Sequence, residues 1–84
     1  MQTREEVFET LKQVIANCVS TEELTEKTAL EDDLGLDSLD LLSVAFDCEN
    51  EFQITIPDKE IEKLITVGDL LDTICNKLAE KSSY

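Results

Sequence analysis

The chain has 84 residues, of which 20 are acidic and 7 are basic, so its formal net charge is −13. This length suits one domain spanning residues 1–84 with a small core, and we expect the last few residues to be disordered. The negative charge argues against nucleic acid and against anionic membrane surfaces as partners, because like charges repel. The sequence contains no histidine, which excludes Ser-His-Asp catalysis and histidine-ligated metal sites. We therefore expect a protein that is not an enzyme. We also expect a monomer.

Targeting and cysteine patterns give further expectations. Residues 1–9 carry three glutamates where a signal peptide needs an apolar segment. The apolar runs are also far too short to span a membrane. Cys18, Cys48 and Cys75 are widely separated and form no Cys-x-x-Cys pair. We expect three small buried hydrophobes in a reducing compartment, and a cytoplasmic location.

The negative charge is concentrated in the middle of the chain. Residues 28–58 contain no lysine or arginine but nine acids, so this stretch supplies −9 of the total −13. These acids are Glu31, Asp32, Asp33, Asp37, Asp40, Asp47, Glu49, Glu51 and Asp58. A solvated face could contain many acids, but complete exclusion of bases indicates a surface that meets a basic partner.

The first half of the chain predicts one helix and a long loop. Thr3 and Glu6 form a capping box, and helical spacing of apolar residues predicts a helix at about 4–18. Its apolar positions are Val7, Leu11, Val14, Ile15 and Cys18. Residues 19–36 lack sustained periodicity and predict a loop, with a short turn near Glu22–Leu24. Three leucines would pin this loop to the core: Leu24, Leu30 and Leu34.

The second half predicts three more helices. The second helix starts near Asp37–Ser38 and ends at about Phe52, and residues 53–57 are extended because they precede or include a proline. Asp58 is predicted to cap a short helix at about 59–65. Thr66 and Asp69 cap a final helix that ends near Glu80, with an apolar stripe at Val67, Leu70, Leu71, Ile74 and Leu78. The predicted fold is an all-α four-helix bundle with three longer helices and one short helix.

The second helix carries two apolar stripes. One stripe faces the core and consists of Leu41, Val44, Ala45, Cys48 and Phe52. A separate stripe consists of Leu39, Leu42 and Phe46. This second stripe either widens the core towards Ile56, Ile61 and Leu64, or forms an exposed apolar strip beside acids. The exposed arrangement is typical of a docking surface.

Ser38 opens the second helix within Leu34-Gly35-Leu36-Asp37-Ser38-Leu39. One interpretation is that Asp37 or Ser38 serves only as the helix cap. Ser38 cannot be a self-activated nucleophile, because the chain has no histidine to take its proton. It can instead be an attachment point that another enzyme modifies. A helix N-terminus suits an attached phosphodiester, since it offers free N–H groups and the positive end of a dipole.

Around Ser38 the sequence resembles an acyl carrier protein. The resemblance rests on the segment from Glu31 to Asp40, on Glu49-Asn50-Glu51-Phe52, on Ile56-Pro57-Asp58 eighteen residues beyond the serine, and on residues 63–69, which read Lys-Leu-Ile-Thr-Val-Gly-Asp. It covers essentially the whole chain. The resemblance implies a four-helix bundle without catalysis of its own. It further implies that Ser38 carries 4′-phosphopantetheine, which a phosphopantetheinyl transferase installs from coenzyme A.

The resemblance also implies partners and their contact residues. The thiol of the arm would hold acyl groups as thioesters for acyltransferases and synthases with basic docking patches, in fatty acid or related lipid or polyketide biosynthesis. Docking would use Asp37, Leu39, Asp40, Leu42, Phe46 and Glu49. The acyl chain would be sheltered by Leu42, Phe46, Ile56, Ile61 and Leu64. Ser43, Asp47 and the Leu41-Leu42 pair depart from the usual pattern of fatty-acid-synthesis members.

Other interpretations stay open from the sequence. The protein could be an acidic interaction adaptor without a prosthetic group, or a carrier of aminoacyl, peptidyl or D-alanyl cargo. Peptidyl carriers more often have Gly-Gly-x-Ser-Leu, and D-alanyl carriers usually lack the Ile-Pro-Asp pattern. A calcium-binding EF-hand beginning at Asp33 is rejected, because its glycine falls at the third position and Val44 stands where a glutamate is required. We expect no specific metal site, only weak binding of divalent cations by the acids.

Overall fold

A computed structural model of the chain describes residues 3–19 and 23–81. Within these residues the chain forms four α-helices: α1 (Arg4–Cys18), α2 (Ser38–Phe52), α3 (Asp58–Ile61) and α4 (Val67–Lys81). The same residues form no strand, only an isolated antiparallel bridge between Ala29 and Thr66. The predicted all-α bundle with one short helix is therefore confirmed. The expected disorder at the end of the chain concerns residues 82–84, which lie outside the described residues, as does Glu22 of the predicted turn.

Side-chain caps define where the three long helices begin. The Thr3 hydroxyl accepts the Glu6 N–H at 3.2 Å, as the sequence predicts for α1. At α4, Asp69 donates its N–H to the Thr66 hydroxyl, while the Asp69 carboxylate accepts the Thr66 N–H, both at 3.1 Å. These bonds satisfy backbone donors that have no partner inside a helix. The predicted cap pair of α4 is confirmed, whereas for α1 the structure shows the Thr3 cap but not the reciprocal bond of the predicted capping box.

The core lies between α1, α2 and α4, with α3 packed against α2. All five residues predicted for the core face of α2 are buried. Of the predicted apolar positions, Val7, Leu11, Val14 and Ile15 of α1 and Val67, Leu70, Leu71 and Ile74 of α4 are also buried. Leu36, just before α2, joins this cluster. No helix in the described part of the chain is long and apolar enough to cross a membrane.

The prediction of three buried cysteines is wrong for Cys18. Cys48 is buried and Cys75 is half-buried, but Cys18 is exposed. Cys18 is the last residue of α1, and its neighbour on α2 is the charged Asp47. The Asp47 carboxylate accepts a hydrogen bond from the Cys18 thiol, with 3.7 Å between Sγ and Oδ2. The side chain therefore contacts a charged group at the end of α1 instead of being buried in the core.

The predicted bounds of the short helix are also wrong. Asp58 is the first residue of α3, Pro57 precedes it without a side-chain cap, and the helix ends at Ile61. The chain continues through tight turns in which Leu64 donates to the Ile61 carbonyl. The helix cannot continue because Asp69 accepts the N–H of Ile65, whose carbonyl accepts the Leu30 N–H. These bonds hold the backbone at residue 65 outside a helix.

The segment after α2 differs from the prediction at its first residue. Gln53 has a left-handed backbone (φ 57°) and ends α2, rather than being extended. Its side-chain amide donates to the Asn50 carbonyl at 2.7 Å, which holds this turn. Residues 54–57 have no regular secondary structure, in agreement with the effect of the proline.

The loop before α2 is fixed to the start of α4 by backbone hydrogen bonds. Gly68 donates to the Glu26 carbonyl, Val67 to Thr28, and Leu30 to Ile65, each at 2.8 Å. Leu30 is fully buried, and Leu24 and Leu34 pack against the core, which confirms that the three leucines pin the loop. Gly35 has a positive φ of 69°, a conformation that glycine adopts without strain. The loop thus delivers the chain to Ser38 in a defined position.

Candidate functional site

Ser38 is the first residue of α2 and is exposed. Asp37 precedes it as the cap, accepting the Asp40 N–H at 2.9 Å, and the Asp40 carboxylate in turn accepts the Asp37 N–H at 3.4 Å. This box leaves the backbone N–H groups of Ser38 and Leu39 without partners inside the helix. Among the described residues, no side chain or backbone group hydrogen-bonds the Ser38 hydroxyl. The hydroxyl is therefore open to an outside reactant.

A cavity of about 220 Å³ lies beside Ser38, between α2 and α3. Its lining comprises Glu31, Ser38, Leu41, Leu42, Asp58, Ile61 and Glu62. The lining therefore combines three apolar side chains with three carboxylates and contains no base. Leu42 and Ile61 are the members of the predicted acyl-sheltering set that line this cavity. Ile56 and Leu64 are instead buried in the core, and Phe46 is exposed.

The second apolar stripe of α2 faces outwards. Leu39 is 74% exposed, Phe46 63% and Leu42 41%. The alternative in which this stripe widens the core is therefore wrong for Leu39 and Phe46. Leu42 is intermediate between an exposed and a buried position, since it also lines the cavity beside Ser38. An apolar strip with acids along its flank has the composition of an interaction surface.

Three acids of the predicted docking set also hold the fold. Asp37 and Asp40 form the cap of α2. The Glu49 carboxylate is half-buried and accepts the Ile56 N–H at 3.1 Å, which ties the segment after α2 back onto that helix. This role of Glu49 is not visible in the sequence, because the bond joins residues seven apart across an irregular segment. Any contribution of these acids to docking adds to a structural role.

One exposed apolar residue was not singled out from the sequence. Ile65 is 67% exposed in the turn between α3 and α4. The predicted short helix included it, so its separate position could not be recognised. Its position just before the Thr66 cap and outside the apolar stripe of α4 is the sequence feature that could have indicated its exposure.

The cysteines and possible metal ligands give no second site. Burial raises the pKa of the Cys48 thiol to about 12, with a smaller effect of the neighbouring Asp47. Burial, then Asp47, also raises the pKa of Cys18. Within residues 3–19 and 23–81, no three cysteine or carboxylate side chains are grouped so that they could hold a metal ion.

Comparisons with known proteins agree with this geometry. The family described as "Phosphopantetheine attachment site" matches residues 6–74. The acyl carrier protein of Thermotoga maritima is 42% identical over 80 residues, covering 93% of this chain and 99% of the relative. That of an Exiguobacterium species is 37% identical over 78 residues, covering 90% of this chain and 99% of the relative.

The fold leads to the same group of proteins. A crystal structure of an acyl carrier protein from Thermotoga maritima superimposes with a TM-score of 0.83 at 28% identity, covering 94% of each chain. The matched family includes Ser38 and the whole of α2 within its limits. The chain therefore belongs to the acyl carrier protein family and contains its phosphopantetheine attachment domain.

Proposed function

We propose that this protein is a free-standing acyl carrier whose attachment residue is Ser38, with coenzyme A as the donor of 4′-phosphopantetheine. Its cargo would be acyl intermediates of fatty acid or related lipid or polyketide biosynthesis. The observation that carries the proposal is the exposed, unbonded hydroxyl of Ser38 at the first position of α2. The protein as a whole would be a single carrier domain without catalysis of its own.

The residues at Ser38 fit an attached phosphodiester. The hydroxyl faces solvent, and the free N–H groups of Ser38 and Leu39 give the start of α2 a positive end. Asp37 and Asp40 oppose a free anion at the same place, so a covalent bond rather than affinity must hold the group. When bound, 4′-phosphopantetheine supplies a thiol that carries the acyl group as a thioester.

The surface of α2 supports a role in docking. Leu39 and Phe46 offer exposed apolar area, and Asp40 and Asp47 are exposed on the same helix. Residues 28–58 contain no lysine or arginine. An enzyme with an apolar contact surrounded by basic side chains would complement this surface. Acyltransferases and synthases with such patches are therefore the proposed partners, together with the transferase that modifies Ser38.

The cavity between α2 and α3 supports a sheltering role for Leu42 and Ile61. These two side chains line the space next to Ser38. An acyl chain that folds back from the arm would bury apolar area against them, at a gain of roughly 25 cal/mol per Å². Ile56 and Leu64 would contribute only through movement of α3, because both are buried in the core.

Intact-mass measurement tests the attachment site. The protein is incubated with coenzyme A and a broad-specificity phosphopantetheinyl transferase, and we expect a gain of one phosphopantetheinyl group. Ser38→Ala should abolish the gain. Ser43→Ala is the matched control, because Ser43 is an exposed serine on the same helix, and it should be modified normally.

Two results would contradict this proposal. No mass gain in the wild-type protein would favour the acidic adaptor without a prosthetic group. A mass gain that survives Ser38→Ala would place the attachment elsewhere. Mass spectrometry of the protein from its own organism would then identify the cargo, and an aminoacyl group would favour the alternative carrier class.

A second experiment tests the docking surface. Leu39→Ser and Phe46→Ser should lower kcat/KM of a carrier-dependent acyltransferase about fivefold or more, because exposed apolar anchors contribute most at the centre of an interface. Both variants should keep the melting temperature, since neither side chain is buried. Asn76→Ser is the control, because Asn76 is an exposed polar residue on a different helix, α4. Wild-type kcat/KM for both Leu39→Ser and Phe46→Ser would contradict the proposal that α2 is the docking element.

A further inference from the structure

Ile65 is the one large apolar side chain outside α2 that is strongly exposed in the described part of the chain, at 67%. Single exposed apolar residues are common on protein surfaces and need no function by themselves. Ile65 differs because of the way its backbone is held. Its N–H donates to the Asp69 carboxylate at 3.1 Å, and its carbonyl accepts the Leu30 N–H at 2.8 Å. The side chain is therefore presented from a fixed backbone, which reduces the entropy lost on binding.

The surroundings of Ile65 are strongly acidic. A cavity of about 230 Å³ on one side is lined by Ala29, Glu31, Asp32, Glu62, Leu64 and Ile65. A shallow depression also lined by Ile65 adds Asp69 and one base, Lys63. Two further acids line it, but Glu60 is paired with Lys77 and Asp72 with Arg4. A partner surface that covers Ile65 would therefore be complementary if it had an apolar contact surrounded by basic side chains.

The cavity beside Ile65 borders the cavity beside Ser38, because the two share lining residues. Glu31 and Glu62 line both of them. An interface of standard size covers about 800 Å² on each partner, which corresponds to a radius of about 16 Å. Most of the proposed partner enzymes would act on the thiol at the end of the long phosphopantetheine arm. The transferase, in contrast, must bring its active site to the Ser38 hydroxyl itself. The transferase is thus the partner that must cover the surface next to Ser38 most closely.

We propose that Ile65 is a second apolar anchor for the phosphopantetheinyl transferase, in addition to the α2 surface, and that it enters a hydrophobic socket rimmed by lysine or arginine side chains. This inference rests on the proposed attachment at Ser38. It extends the docking surface from α2, across Glu31 and Glu62, to the turn before α4.

Steady-state kinetics of the modification tests the inference. The full-length apo protein serves as substrate for a broad-specificity phosphopantetheinyl transferase with coenzyme A, and initial rates are followed by intact mass. Ile65→Thr keeps the branched side chain but removes apolar area, and it should raise KM about fivefold while kcat stays unchanged. Ile65→Lys should raise KM further, because it places a base against a basic rim.

A charge-matched pair separates local docking from general electrostatics. Glu62→Gln should raise KM at low salt, and the effect should shrink as salt is added. Glu80→Gln removes the same charge from a different surface, beside Gln53 and Lys81, and should leave KM unchanged. Thermal unfolding checks that every variant is folded, which is expected because Ile65 and Glu62 are exposed.

The outcomes distinguish this inference from the proposed function. A wild-type protein that gains no mass overturns both. Normal modification of Ser38 combined with a wild-type KM for Ile65→Thr overturns only the second anchor. A lower KM for Ile65→Lys also overturns it, because the transferase surface at that place would then be acidic.

Discussion

Replacing Gly68 with alanine is the most decisive test of how the loop before α2 is held. A Cβ atom added at Gly68 would lie 2.8 Å from the Glu26 carbonyl oxygen and 3.2 Å from the Glu26 Cβ atom. Ordinary contacts of a Cβ atom begin at 3.4 Å, so the loop would have to move away. The same carbonyl accepts the Gly68 N–H at 2.8 Å. The substitution therefore pushes on the bond that fixes the loop.

Two effects oppose each other, and their sizes decide the sign. Alanine favours the helix over glycine by at most about 1 kcal/mol, and less in the first turn, where Gly68 lies. Forcing an extra carbon into a packed contact costs about 1–3 kcal/mol, and a weakened hydrogen bond costs about 1 kcal/mol more. Glu26 cannot retreat freely, because its carboxylate also pairs with Arg4. We expect Gly68→Ala to lower the free energy of unfolding by about 1–3 kcal/mol.

Urea unfolding measures this change directly. The midpoint should fall with an unchanged m-value, and the melting temperature should drop about 4–8 °C for each kcal/mol lost. Gly35→Ala is the comparison variant, because its Cβ atom would meet nothing within 4 Å while its φ of 69° stays unfavourable for alanine. It should cost only about 1 kcal/mol, from backbone strain. A Gly68→Ala protein as stable as the wild type would show that the loop yields easily and would refute the reasoning.

Four further predictions concern acids and thiols. Glu49→Ala should destabilise the protein by about 1 kcal/mol, because the Ile56 N–H loses its acceptor, whereas Glu49→Gln should keep most of the stability in urea unfolding and report on docking alone. Cys48 should resist alkylation by iodoacetamide at pH 8 while Cys18 reacts, and equal rates would contradict the burial of Cys48. The pKa of the Cys48 thiol rises from 9.0 to about 12 on folding, so the folded protein holds this proton more tightly than the unfolded chain does. The free energy of unfolding should therefore fall by about 1.4 kcal/mol per pH unit between pH 9 and 12. Cys48→Ala should remove this part of the pH dependence. Millimolar magnesium should raise the melting temperature above that in sodium of matched ionic strength, since divalent cations relieve self-repulsion among the acids; equal values would contradict this.

The sequence predicted the long helices well because their signals are local. Capping residues and apolar spacing lie within a few positions of each other, and the structure keeps both for α1 and α4. The end of α3 could not be predicted in the same way. It depends on Leu30 donating to the Ile65 carbonyl from thirty-five positions away, and such a pairing is visible only in the folded chain.

The same distinction between local and long-range signals applies to the candidate site. The position of Ser38 followed from the helix start and its neighbours, which are contiguous in sequence. The exposure of Leu39 and Phe46 did not follow, because helical periodicity gives the direction of a stripe but not what covers it. The lining of the cavity was still harder to predict, since Glu31 comes from the loop before α2, whereas Asp58 and Glu62 come from the two ends of α3.

The acids between residues 28 and 58 are partly explained by the fold itself. Four of the nine accept backbone hydrogen bonds in the structure, namely Asp33, Asp37, Asp40 and Glu49. Their presence would be expected in any protein with these turns and caps, so the number of acids is a weak argument for docking.

The placement of the bases is the stronger argument. Arg4 pairs with Glu26 and Asp72, Lys77 pairs with Glu60, and Lys81 donates to the Gln53 carbonyl. These contacts place basic side chains on α1 and α4, where each stabilises an internal contact. No cap or turn in residues 28–58 forbids a lysine on the exposed side of α2, yet none occurs there. The proposed docking of a basic partner would account for this exclusion, whereas solubility alone would tolerate interspersed bases.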